Sequence, residues 1–136
     1  MAKEGFNARK IRDQIRQLKK SIPAQTSSMA VEWFENSFTR QGFTDRRFKR
    51  WKKRKPYAPR NEGRAILVDT GTLRRSIRKE RVTFRQVRIV SKLPYSAVHN
   101  DGLGNMPQRK FMGESQKLER KMLKFIYKSI DKALGF

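Results

Sequence analysis

The chain has 136 residues, no cysteine, and 34 Lys plus Arg against 12 Asp plus Glu, for a formal net charge of +22. Without cysteine there is no disulfide framework, thiolate metal site or Cys redox chemistry; the opening MAKEGFNARKIRDQIRQLKK lacks an apolar h-region and no run approaches about 18 apolar residues, so neither a signal peptide nor a membrane span is expected. A hydrophobic content of 36%, with 10% aromatic, suffices for a modest core in one domain over residues 1–136, and the crowding of like charge points to a polyanionic or acidic partner that relieves it.

Ile11, Ile15, Leu18 and Ile22 recur at helical spacing, and Pro23 is expected to end that first helix. Thr26 or Ser27 then caps a second, in which Met29, Ala30, Trp33, Phe34 and Phe38 form a broad apolar stripe before Gly42 supplies the stop. These two helices occupy residues 1–44.

Residues 45–64 carry dense Lys and Arg, two prolines and little apolar periodicity, which reads as a basic loop or extended arm. Arg46, Arg47, Lys49, Arg50, Lys52, Lys53, Arg54 and Lys55 surround Phe48 and Trp51, so phosphate-binding cations alternate with rings able to stack on bases. The competing reading is a solvated arm that Phe48 and Trp51 anchor to the fold. Arg74, Arg75 and Arg78 extend the basic character toward the following strands.

The body, residues 65–136, opens with Ile-Leu-Val and a turn at Asp69-Thr70-Gly71, where the small polar side chains satisfy backbone groups rather than form a nucleophile site. Leu73 and Ile77 lie one helical turn apart. Val82 and Phe84, then Val87, Ile89 and Val90, alternate with polar residues around Arg85-Gln86 and predict two antiparallel strands. A short helical turn over 94–99 and an irregular Gly-Asn-Asp loop follow, and Leu118, Met122, Phe125, Ile126, Ile130 and Leu134 trace a long C-terminal helix. The expected class is α+β: two N-terminal helices, a small antiparallel sheet and a long C-terminal helix, with a basic arm.

His99, the only histidine, has no second histidine or cysteine for a common metal set, and its expected role is structural or hydrogen-bonding. Gly102 and Gly104 do not continue into a nucleotide-cradling pattern, and zinc-finger, RNA-recognition and helix-turn-helix signatures are missing, so neither catalysis, a cofactor nor sequence-specific base reading is expected.

Three blocks carry a resemblance: Leu67, Asp69, Gly71, Leu73, Ser76 and Ile77; then Tyr95, His99 and Gly102; then Pro107, Arg109, Phe111 and Gly113. Their order and spacing over about the C-terminal 85 residues resemble the phage virion morphogenesis proteins, a family of Mu-like and related tail-completion or neck proteins. The chain departs from the pattern where Ser96 separates Tyr95 from Ala97. The resemblance implies a structural virion protein, without enzymatic activity, assembled in the host bacterial cytoplasm as a hexameric homo-oligomeric ring at the head-tail neck. It implies contacts with other neck, connector or tail proteins and with packaged DNA. The alternative reading of the same composition is a sequence-nonspecific nucleic-acid-binding basic protein.

Overall fold

A computed structural model describes residues 5, 7–54, 65–68 and 70–135. Lys55 and Asp69 lie outside the described residues. The elements are α1 (Ala8–Arg40), β1 (Gly42–Thr44), β2 (Phe48–Arg50), α2 (Thr72–Arg75), β3 (Arg78–Val82), β4 (Val87–Val90), α3 (Ser96–Asp101) and α4 (Gln116–Leu134). The class is α+β, ending in a long C-terminal helix. No described helix is long and apolar enough to cross a membrane.

The two expected N-terminal helices are a single 33-residue helix with Pro23 inside it. An interior proline removes one helical hydrogen bond and crowds the preceding turn, at about 3 kcal/mol. The opposing term is the apolar face: Ile22, Ala30, Phe34 and Phe38 are all buried on one continuous stripe through Pro23. Burying a large apolar side chain contributes about 1.5–3 kcal/mol, so Ile22, Phe34 and Phe38 together outweigh one proline. Thr26 and Ser27 do not cap a new helix. Their hydroxyls turn back onto the carbonyls of Ile22 (2.9 Å) and Ala24 (2.8 Å), the back-bonding that Ser and Thr adopt inside helices.

The left-handed cap of α1 comes one residue before the expected glycine. Gln41 takes the left-handed conformation (φ 59°) that glycine usually fills. Its side-chain amide holds it there, donating to the carbonyls of Phe38 (2.7 Å) and Ile66 (3.0 Å) and accepting from the Ile66 N–H. Gly42 is required for a different reason: a Cβ there would stand 2.4 Å from the Lys49 carbonyl oxygen across the β1–β2 pairing.

Among the described residues two separate two-stranded antiparallel sheets form rather than one. In the first, Phe43 opposes Lys49 and Trp51 N–H adds a bond to the Gln41 carbonyl (2.8 Å). The presumed arm is therefore part of the body as far as Arg54, because Trp51 is buried at 5% exposure and cannot swing free. In the second sheet β3 starts at Arg78, earlier than the Val82–Phe84 alternation suggests. Thr83 and Gln86 close the turn through reciprocal backbone bonds, leaving Phe84 outside the ladder and 59% exposed. Every β3 side chain is exposed, so main-chain pairing and the bond from Lys79 Nζ to Ser28 Oγ (2.7 Å) hold that strand against α1.

The core joins Ala30, Phe34 and Phe38 of α1 to Phe43, Trp51, Leu73, Ile77, Phe111 and Leu118. Ser115 caps α4, accepting from Leu118 N–H (3.2 Å) while donating to the Thr44 carbonyl (2.6 Å). Asp45 accepts from Gln116 N–H (2.8 Å), so β1 fixes where α4 begins. From there α4 runs back along α1: Lys121 stands over Trp33, and Ala133 shares a surface cavity with Leu18 and Ser21. Phe38, 1% exposed, touches both Trp51 and Phe111; Phe38→Ala is expected to lower stability by about 3–5 kcal/mol in a denaturant titration.

Candidate polyanion-binding cleft and its scaffold

The β1–β2 hairpin turns at Asp45–Arg47, and its short strands leave cationic side chains on both sides of the turn. Arg46, Arg47, Lys49 and Arg50 line a cleft of about 480 Å³ together with Phe43, Trp51, Gln108 and Lys110. Lys110 Nζ lies 4.9 Å from the Phe43 ring centroid, within cation–π range. Asp45 is the one lining carboxylate, and it already accepts from Gln116 N–H. Arg46 donates to Gln116 Oε1. None of the five lining cations makes an ion pair among the described residues, whose salt bridges are Arg16–Asp13, Arg88–Glu80 and Lys92–Glu80. Cations that line one cleft without an ion pair are suited to a phosphate or carboxylate ligand.

The predicted cation set divides on this geometry. Lys52 and Lys53 are exposed beyond the cleft, and Arg54 turns to the Ala65 carbonyl (2.8 Å) on another cavity. Arg74, Arg75 and Arg78, on α2 and β3, do not line the cleft. Trp51, buried at 5% exposure, fits the anchor of the two readings better than the stacking ring. It meets Phe38 edge-on at 5.5 Å, its Nε1–H donates to the Lys110 carbonyl (2.7 Å), and only part of it reaches the cleft. Phe48, 36% exposed, lies under the Arg40 guanidinium at 4.6 Å.

Residues from all three resemblance blocks meet. Leu67, Gly71, Leu73, Tyr95, His99 and Arg109, with Arg54, line a second cavity of about 420 Å³. Gly71 sits at φ 76° ahead of α2, Ser76 Oγ pairs with Ser91 Oγ (2.6 Å), and Ile77 is buried. Gly102, at φ 68°, lets the chain pass so close to Gln108 that a Cβ would meet its backbone at 2.9 Å. Arg109 is 7% exposed and donates through Nε (3.1 Å) and Nη2 (2.9 Å) to the Lys52 carbonyl. It therefore clamps the root of the basic segment, while Phe111 packs on Phe38. Pro107 is half-buried, and Gly113 is exposed at φ 145°.

Sequence reasoning passed over Asn100 and Lys110. Asn100 Oδ1 accepts from both Phe111 N–H (2.9 Å) and Met112 N–H (3.0 Å), tying the second block to the third. An Asn within a Gly-Asn-Asp stretch reads as turn chemistry, and only the long-range bonds reveal this role. Lys110 is separated from the 46–55 charge run and joins it only through folding.

His99 packs edge-on to Tyr95 at 6.2 Å, and its Nδ1 is buried without a hydrogen-bond partner among the described residues. Burial, then the positive charge of Arg109, holds its pKa below the ordinary imidazole value. Among the described residues no three of His, Cys, Asp and Glu gather as a metal set would require. No family model, curated protein or solved structure matches the chain.

Two outcomes are expected. Asn100→Ala leaves two amide donors unpaired and lowers stability by about 2 kcal/mol in chemical denaturation, whereas Asn100→Asp, which keeps the acceptor, costs less. Because His99 takes up its proton less readily when folded than unfolded, its neutral form favours the fold above about pH 6.5, and that contribution declines as pH falls below this value toward the depressed folded pKa. Thermal melts between pH 7.5 and 5 should therefore fall more steeply for the parent than for His99→Gln.

Proposed function

We propose that the chain is a structural, non-catalytic virion protein of a tailed phage, a tail-completion or head-tail connector subunit that assembles as a homo-oligomeric ring at the neck. The observation that supports this reading most is the convergence of the three resemblance blocks on one cavity, interlocked through Asn100, Gly102 and Arg109. In that reading the block residues build the subunit, and the cleft of Arg46, Arg47, Lys49, Arg50 and Lys110 contacts an acidic connector surface or packaged DNA. A net charge of +22 per subunit opposes self-association, so assembly depends on an anionic partner that neutralises it.

Mixing the chain with portal, connector and tail-tube proteins of the same genome and following the mixture by light scattering tests the proposal. A defined ring bound to a neck component is the expected result. A chain that stays monomeric and associates with no virion component would overturn it.

The cleft also supports a second reading, a sequence-nonspecific nucleic-acid binder. On that reading, replacing Arg46, Arg47 and Lys49 with Gln weakens binding of a short DNA duplex roughly tenfold or more at low salt and flattens the salt dependence, alike for unrelated sequences. Fluorescence anisotropy across a salt series reads both quantities.

A further inference from the structure

Helix α4 carries two apolar stripes, and the fold uses one. Leu118 is buried and Met122 packs against the core. At about 3.6 residues per turn, Leu123, Ile126, Tyr127, Ile130 and Leu134 fall on a second arc roughly 100° wide, turned well away from Leu118. Leu123 is 50% and Tyr127 65% exposed, and Ile126, Ile130 and Leu134 are half-buried. A helix packed only on α1 would carry polar residues on that outer arc. This one presents about 17 Å of apolar surface from Leu123 to Leu134.

The surroundings of the stripe select its occupant. Arg120 borders the stripe beside Tyr127, and Lys124 and Lys128 stand progressively further round the same flank, where they line a cavity with Gln25, Met29 and Glu32 of α1. Asp131 is the one acidic residue of α4 among them; all three cations are exposed, and none is ion-paired among the described residues. The acidic residues of α4 are Glu119 and Asp131, against six Lys and Arg. Two-fold antiparallel pairing with a second copy would set the basic row against itself, on a chain already at +22. A flat anionic bilayer is best met by an apolar face with cations on both flanks, whereas on α4 they form a row on one. A helix lying alongside needs carboxylates on one edge only.

We propose that this face of α4 docks an acidic amphipathic helix from a partner protein. Its apolar residues seat on Leu123, Tyr127, Ile130 and Leu134, and its carboxylates run along Arg120, Lys124 and Lys128. The mode is helix-on-helix packing with a charge-matched edge, which gives orientation as well as affinity. This surface is separate from the hairpin cleft and holds whether or not the chain belongs to a phage neck.

The probe is a fluorescein-labelled synthetic helix with leucines at heptad spacing and glutamates along one edge, titrated with the full chain at physiological salt. Saturable binding is expected. Leu123→Ser with Tyr127→Ser should weaken it roughly tenfold or more, and Arg120→Gln, Lys124→Gln and Lys128→Gln together by a similar factor. All five side chains are exposed, and unchanged circular dichroism would confirm that the variants fold. Arg46→Gln with Arg47→Gln, in the cleft, should leave peptide binding unchanged, separating this surface from general charge attraction. The proposal is overturned if the serine pair leaves peptide binding intact, or if Leu123 and Tyr127 instead drive self-association in sedimentation or binding to phosphatidylglycerol vesicles.

Discussion

Three aromatic rings from distant parts of the chain meet at Phe38. Trp51 approaches edge-on at 5.5 Å and Phe111 at 5.1 Å, and the Trp51 indole donates to the carbonyl of Lys110, the residue before Phe111. Each ring brings its own element: α1, the end of the β1–β2 hairpin, and the segment leading into α4. Without this junction the hairpin would have three-residue strands and little else to hold it, since an isolated two-stranded ladder is marginal in water. The cationic cleft exists because Trp51 and Lys110, which both line it, are hydrogen-bonded to each other.

The molecule manages its charge by giving cations neutral acceptors. Arg109 donates to the Lys52 carbonyl, Arg54 to the Ala65 carbonyl and Lys79 to Ser28 Oγ, while Lys110, Arg40, Lys121 and Lys19 stand over aromatic faces. Such contacts satisfy donors and cover apolar surface without cancelling charge. The excess is therefore carried outward, on the hairpin and along α4. A fold of this kind presents a positive field while, among the described residues, His99 Nδ1 is the one buried side-chain polar atom left without a partner.

Helix α4 and the apolar face of α1 were legible because their periodicity is long and regular, and the hairpin of β3 and β4 was legible in kind. Pro23 misled because local propensity favours a break, whereas the burial that overrides it depends on Phe111 and Trp51, residues far along the chain. The charge run suggested an arm for a similar reason. Its Lys and Arg residues dominate the local pattern, and the burial of Trp51 is a tertiary fact. Leu73, Ile77 and Phe111 stood out as apolar residues and are buried, but Asn100 speaks only through bonds to Phe111 and Met112, and Lys110 joins the cleft only across the fold.

Pro23 also divides α1 into unequal halves. On the C-terminal side Ala30, Phe34 and Phe38 are clamped into the core, while between Ala8 and Ser21 no residue is fully buried. A proline at the boundary interrupts the hydrogen-bond ladder through which one half would stiffen the other. The first four turns are thus expected to open ahead of the rest, their amides exchanging through local fraying before those beyond Thr26. The helix is continuous in shape but anchored on one side of Pro23 alone, from Thr26 onward.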